Sequence, residues 1–103
     1  YAPKTPMKLY NSIREFRDAQ NFGAGDAIIV SEEKIALELR GIGFPKCTCL
    51  SVDGCPYTIA QNLYATLIEL DAHKTDRMHL IFSGENKGAS RAILDRLKRA
   101  AKS

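Results

Sequence analysis

At 103 residues, 45% hydrophobic and 26% charged, the chain has the make-up of a single globular domain with its own core. No apolar run reaches the length of a membrane span and no signal-peptide pattern is present, so a cytoplasmic protein is expected. A net charge of +3 is only a mild bias toward polyanionic partners.

Residues 1–6, YAPKTP, precede Met7, the only plausible start. The segment 1–7 is expected to be a tag remnant or flexible lead-in, or the edge of a domain cut from a longer protein, with one domain over 8–103. The first predicted element is a helix over about 11–21. Ser12 with Glu15 three residues later fits a capping box, and Leu9, Ile13, Phe16 and Ala19 form an apolar stripe. Gly23 and Gly25 punctuate the chain before the apolar run 27–30, AIIV, which reads as a strand buried on both faces.

Ser31 follows as a natural N-cap, with Glu32 and Glu33 in a first helical turn where the dipole favours negative charge. Ile35, Ala36, Leu39 and Ile42 recur at helical spacing until Gly41 and Gly43 end the element. A second strand is predicted over 47–52 and a loop over 53–56. A long helix then starts at the cap Thr58, with Ile59, Leu63, Leu67 and Leu70 on its inner face. A third strand over 78–82, a polar loop over 83–88 and a helix from 89 to about 101, buried through Ile93, Leu94 and Leu97, complete the pattern.

Helices alternating with strands predict a small three-layer α/β/α domain with a mainly parallel sheet of about three to four strands. The strand ends at 31–34, 51–55 and 83–88 should then open onto one edge, where open α/β sheets take their ligands. Each of these loops carries polar groups. Glu32, Glu33, Asp53 and Glu85 together could hold a divalent cation, or could separately favour a helix start, a turn and solvent. Ser83, Gly84, Lys87, Gly88 and Ser90 could cradle a phosphate before a helix, although the spacing is not that of a Walker loop. The last helix carries Arg91, Arg96, Lys98, Arg99 and Lys102 against Asp95, a face able to track a nucleic-acid backbone or simply to meet solvent.

Cys47, Cys49 and Cys55 lack a zinc spacing, and their odd number suits a reducing compartment. Alternation puts Cys47 and Cys49 on one strand face as buried thiols. His73 and His79 have no evident partner in the sequence and are assigned no catalytic role.

The runs IIVSEEKIALELRGIGFPKCTCLSVDG and HLIFSGENKGASRAILDRL resemble a Toprim domain, the α/β module of primases, topoisomerases, some nucleases and primase-like proteins of mobile elements. The likeness spans about residues 26–100 and rests on the order of strands, loops and glycines. In that family the first strand ends in a catalytic glutamate and glycine, and the third in an Asp-x-Asp pair that holds magnesium. Here Ser31 stands at the glutamate's place and Glu32 at the glycine's, while the acidic pair falls on Ser83, Gly84 and Glu85. Gly54 and Gly88 match structural glycines. A neutral hydroxyl does not replace a carboxylate at a magnesium site.

The resemblance therefore implies a degenerate, non-catalytic Toprim-like domain that needs no cofactor. It would act as a DNA- or RNA-contacting or scaffolding module in a replication, recombination or conjugation protein. Its contacts would come from Lys87, Arg91, Arg96, Lys98, Arg99 and Lys102, and other domains of a larger DNA-processing protein would be its partners. Two further readings stand beside it. One is a Mg2+-dependent nuclease or nucleotidyl-transferase with a rebuilt acidic site. The other is a small-anion or protein-interaction domain unrelated to Toprim proteins.

Overall fold

The computed structural model describes residues 4–82 together with Ala92, Asp95, Arg96 and Arg99. Its elements are β1 (Met7–Tyr10), α1 (Ile13–Ala19), β2 (Ala27–Val30), α2 (Glu33–Gly41), β3 (Thr48–Cys49), α3 (Pro56–Ala72) and β4 (Met78–Ile81). The four strands form one sheet in the order β1-β4-β2-β3, and every neighbouring pair is parallel. The expected three-layer α/β fold is thus present, with one strand more than the three read from the sequence.

Burial explains the strand positions. All four residues of β4 are buried, as are Ile28, Ile29 and Val30 of β2, because these central strands are covered on both faces. Alternation then divides the core. Tyr10, Ile28, Val30 and Ile81 face α1 and α2, where they meet Phe16, Ile35, Ala36 and Leu39. Met7, Ile29, Met78, Leu80 and Phe82 face the other way and meet Ile59, Leu63 and Leu67 of α3. From β1 the chain steps past β4 to β2 and on to β3 with its helices on one face. It returns to β4 through α3 on the opposite face, as right-handed crossovers require.

The extra strand falls on residues 7–10, at the start of the expected domain and ahead of the first predicted helix. Met7 opens β1, and Thr5 is buried. The Thr5 N–H and hydroxyl donate to Asp71 Oδ1 at 2.9 and 2.6 Å, and the Lys4 N–H donates to Asp71 Oδ2 at 3.2 Å. The last turn of α3 therefore fastens the segment that leads into the edge strand. Leu9 belongs to this strand and packs on the α3 layer, not on a stripe with Ile13 and Phe16. Ala19, also assigned to that stripe, is exposed.

The helix ends show which residue wins each local contest. Ser12 caps α1, accepting the Glu15 N–H at 3.1 Å, while the Glu15 carboxylate takes the Asn11 N–H at 3.1 Å. That is the reciprocal arrangement the capping pattern predicts, shifted by one donor. The cap of α2 is Glu32, not Ser31, which is buried one residue earlier with its N–H given to the Ile81 carbonyl. Gly43 ends α2 with φ +99°, and the Phe44 N–H reaches back to the Leu39 carbonyl at 2.8 Å, a left-handed closure that suits glycine.

Pro56 begins α3, so Cys55 is its cap and Thr58 lies in its first turn. The predicted strand 47–52 is reduced to Thr48–Cys49, because the chain curls at Ser51 into a side-chain-bonded loop. As a consequence Cys49 is exposed and Cys47 half-buried, correcting the expectation of two buried thiols. Expected features at 83–91, the inward residues Ile93, Leu94 and Leu97, and residues 100–103 lie outside the described residues. Ala92, Asp95, Arg96 and Arg99 are helical and exposed, in keeping with the outer face of a last helix.

Candidate functional site

The parallel strands bring the described loops, those after β1, β2 and β3, to one edge. The loops after β2 and β3 lie at the place where successive helices leave to opposite faces, the crevice such sheets offer to ligands. These two loops touch. The Glu33 N–H lies 3.4 Å from the Val52 carbonyl, and the Glu32 carboxylate lies against Gly54, 2.9 Å from the position a Cβ would occupy there. Gly54 has φ +79°, so backbone conformation as well as this approach favours glycine.

The β3–α3 loop is organised around Ser51, which is buried. Its hydroxyl donates to Asp53 Oδ1 at 2.9 Å and accepts the Cys55 N–H at 3.1 Å; that N–H also reaches Asp53 Oδ1 at 3.1 Å. The Ser51 hydrogen bond, helped by the Cys55 N–H, holds the exposed Asp53 carboxyl below the usual range. Cys55 is lowered as well, first by the Thr58 N–H, then by the Thr58 hydroxyl and the Tyr57 N–H, at the start of α3. Asn62 Nδ2 donates to the Leu50 carbonyl at 2.7 Å and fixes the loop's base to α3.

Of the acidic residues singled out by the sequence, the fold brings Glu32 and Asp53 to one crevice through Gly54. Glu33 is exposed in the first turn of α2, and Ser31 is buried beneath the edge. Glu85, Ser83, Lys87 and Gly88 lie outside the described residues, as do Arg91, Lys98 and Lys102; Arg96 and Arg99 are exposed. Among the described residues no group of three or more His, Cys, Asp or Glu side chains could hold a metal ion. A shallow cleft of about 220 Å³ lies alongside, between the β1–α1 turn and α2, with Asn11, Ser12, Glu32, Lys34 and Glu38 among its walls. This mixed polar surface can meet a partner.

The most developed polar constellation lies elsewhere, inside the core. His79, given no partner from the sequence, has two. Its Nε2 is 2.7 Å from Asp26 Oδ2 and its Nδ1 is 3.0 Å from the Tyr10 hydroxyl. Tyr10 is 0% exposed, and the side chains of His79 and Asp26 are 1% exposed. With Nε2–H donated to the carboxylate, Nδ1 accepts the tyrosine O–H, and each polar atom of the ring is satisfied. The Gly23 N–H at 3.0 Å and the Arg77 guanidinium at 3.1 Å complete the shell of Asp26.

Burial pushes Asp26 toward the neutral acid. The hydrogen bonds from His79, Gly23 and Arg77 together outweigh it, so its carboxyl titrates below the usual range. Burial likewise raises the Tyr10 phenol, against the opposing charge of Arg77. Phe16 and Phe22 flank the imidazole with centroids 5.5 and 5.6 Å from its own, and Phe44 packs edge-on against both.

Carboxylate, imidazole and hydroxyl follow the order of a nucleophilic triad. The hydroxyl at its end, however, meets Phe16 and the sheet rather than solvent. Its position gives it another role. Tyr10 comes from β1, His79 from β4 and Asp26 from the residue before β2, three neighbours in the sheet, so the chain of hydrogen bonds staples them across one face. The signal in the sequence was a histidine inside an alternating strand, since a buried imidazole demands a partner, and an aspartate directly before the adjacent strand could supply it.

The sequence model of the threonylcarbamoyl-AMP synthase C-terminal domain matches residues 1–102. No curated protein matches the chain. The family match overturns the Toprim resemblance and leaves the DNA-processing and mobile-element setting that it implied without support. That resemblance rested on the order of strands, acidic loops and glycines over about residues 26–100. Parallel α/β domains of unrelated function share this order, because the same crossovers build them.

Proposed function

The chain belongs to the family of threonylcarbamoyl-AMP synthase C-terminal domains, and we propose that within such a synthase it is a non-catalytic, scaffolding domain. The observation that carries this reading is the enclosure of its acid–imidazole–hydroxyl network. Tyr10, His79 and Asp26 have the groups that proton transfer needs, and all three are spent on holding three strands together.

The product in the family's description contains threonine, a carbonyl carbon and AMP, so the assay supplies threonine, bicarbonate and ATP to the full-length synthase. His79→Phe keeps a ring in the aromatic enclosure and removes both nitrogens. Turnover per folded molecule, measured well below the melting temperature, is expected to stay as in the unsubstituted enzyme. A fall of about a hundredfold or more, the usual effect of losing a general acid or base, would overturn the reading.

Contact with a nucleic acid is a second reading, favoured by Arg96 and Arg99, exposed and three residues apart on a helix. With Lys87, Arg91, Lys98 and Lys102 they would form the basic face expected from the sequence. That reading requires RNA or DNA binding that weakens steeply with added salt and with Arg96→Gln and Arg99→Gln.

A further inference from the structure

Helix α3 is apolar on two sides. Ile59, Leu63 and Leu67 are buried against the sheet. Tyr57, Tyr64 and Ile68 follow one another at spacings of seven and four residues, which on an α-helix is a single stripe. This stripe is turned away from the sheet, and its residues are 71%, 41% and 52% exposed. Its neighbours Gln61, Ala65 and Ala72 carry no charge.

A solvent-facing helix ordinarily carries charge on its outer side, as α2 does with Glu33, Lys34, Glu38 and Arg40. In α3 the only charged residues are Glu69 and Asp71. Glu69 lies off the stripe, and Asp71 is engaged by Lys4 and Thr5. Two apolar faces on one helix suit contact with protein on both.

The same contact indicates what covers the stripe. Because Lys4 and Thr5 are bound at Asp71, three residues beyond Ile68, the polypeptide enters this domain beside the end of the stripe. In a C-terminal domain the preceding polypeptide is the rest of the synthase. We propose that Tyr57, Tyr64 and Ile68 form the docking face for that preceding part of the same chain, which presents an uncharged, apolar surface to them. A tethered partner is held at high effective concentration, so a narrow stripe suffices where a free partner would need more area. Exposed aromatics in an uncharged setting are the side chains that anchor such contacts. The inference rests on the reading of this chain as a synthase domain, and deepens it by naming the surface and its occupant.

The test is small-angle scattering of the full-length synthase, with sedimentation to give its oligomeric state. The unsubstituted enzyme is expected to be compact. The double substitution Tyr64→Arg and Ile68→Asp is expected to open it, with the docked fraction weakened about tenfold or more. Leu37→Asp, at an exposed apolar position on α2, is expected to leave it compact. Should the double variant fail to fold, Tyr57→Ser at the most exposed stripe position carries the same test.

A folded α3 variant as compact as the parent overturns the docking face while leaving the scaffolding reading intact, since that is judged by turnover. Opening by Leu37→Asp, or an unsubstituted enzyme already extended, overturns it as well. So does a variant that splits a dimer without opening either chain, because the stripe would then be meeting a second copy.

Discussion

Truncating His79 to alanine is expected to cost the fold about 3–5 kcal/mol, the combined effect of emptying a buried ring site and leaving its polar partners unpaired. The ring fills a site enclosed by Tyr10, Phe16 and Phe22, and its loss leaves both a cavity and two polar groups short of a partner. For a domain of this size the melting temperature should fall by on the order of 15–30 °C. The carboxylate adds a pH signature. Asp26 titrates below its unfolded value, so its contribution is fully present above about pH 4. It disappears as the pH falls through the depressed native value. Acid melting series on the parent and on Asp26→Asn should therefore converge at low pH and separate above it.

The second large effect is expected on the inner face of α3. Leu63 is 1% exposed between the sheet and the helix, and Leu63→Ala should cost about 2–5 kcal/mol through lost burial and an unfilled cavity. The next residue provides the contrast. Tyr64 is 41% exposed, and Tyr64→Ala in the isolated domain should change stability by no more than about 0.5 kcal/mol. Denaturant melts of the two variants check this directly. Equal costs would mean that the outer face of α3 is already covered within the domain.

Much of the fold was legible because its signals are local and redundant. The buried run at 27–30, the capping residues Ser12 and Glu15, and the apolar spacing of Ile59, Leu63 and Leu67 each specify an element through short-range physics. β1 was not, since MKLY is short, follows Pro6, and includes a leucine that also completes a helical stripe. Only a contact at a separation of 66 residues, Thr5 with Asp71, shows why that segment is ordered. At the carboxyl edge, the sequence marked Glu32, Asp53 and Gly54, and the fold joins the two loops that carry them. It could not show that Ser31 is buried below that edge, because one residue separates a helix cap from a strand end. The His79 network was the largest omission. Its members lie 53 and 69 residues apart in pairs, and sheet order alone brings them together.

A network that only staples strands keeps its imidazole out of the reaction. The most direct measurement is the nitrogen NMR spectrum of the His79 imidazole in the full-length synthase, followed as threonine, bicarbonate and ATP are added. The expected result is an Nε2-protonated ring whose two nitrogen resonances stay unmoved from the free enzyme to turnover and change only when the domain unfolds. A shift of either resonance on adding substrates, absent in a control that binds none of them, would place the imidazole in contact with the reaction and contradict it.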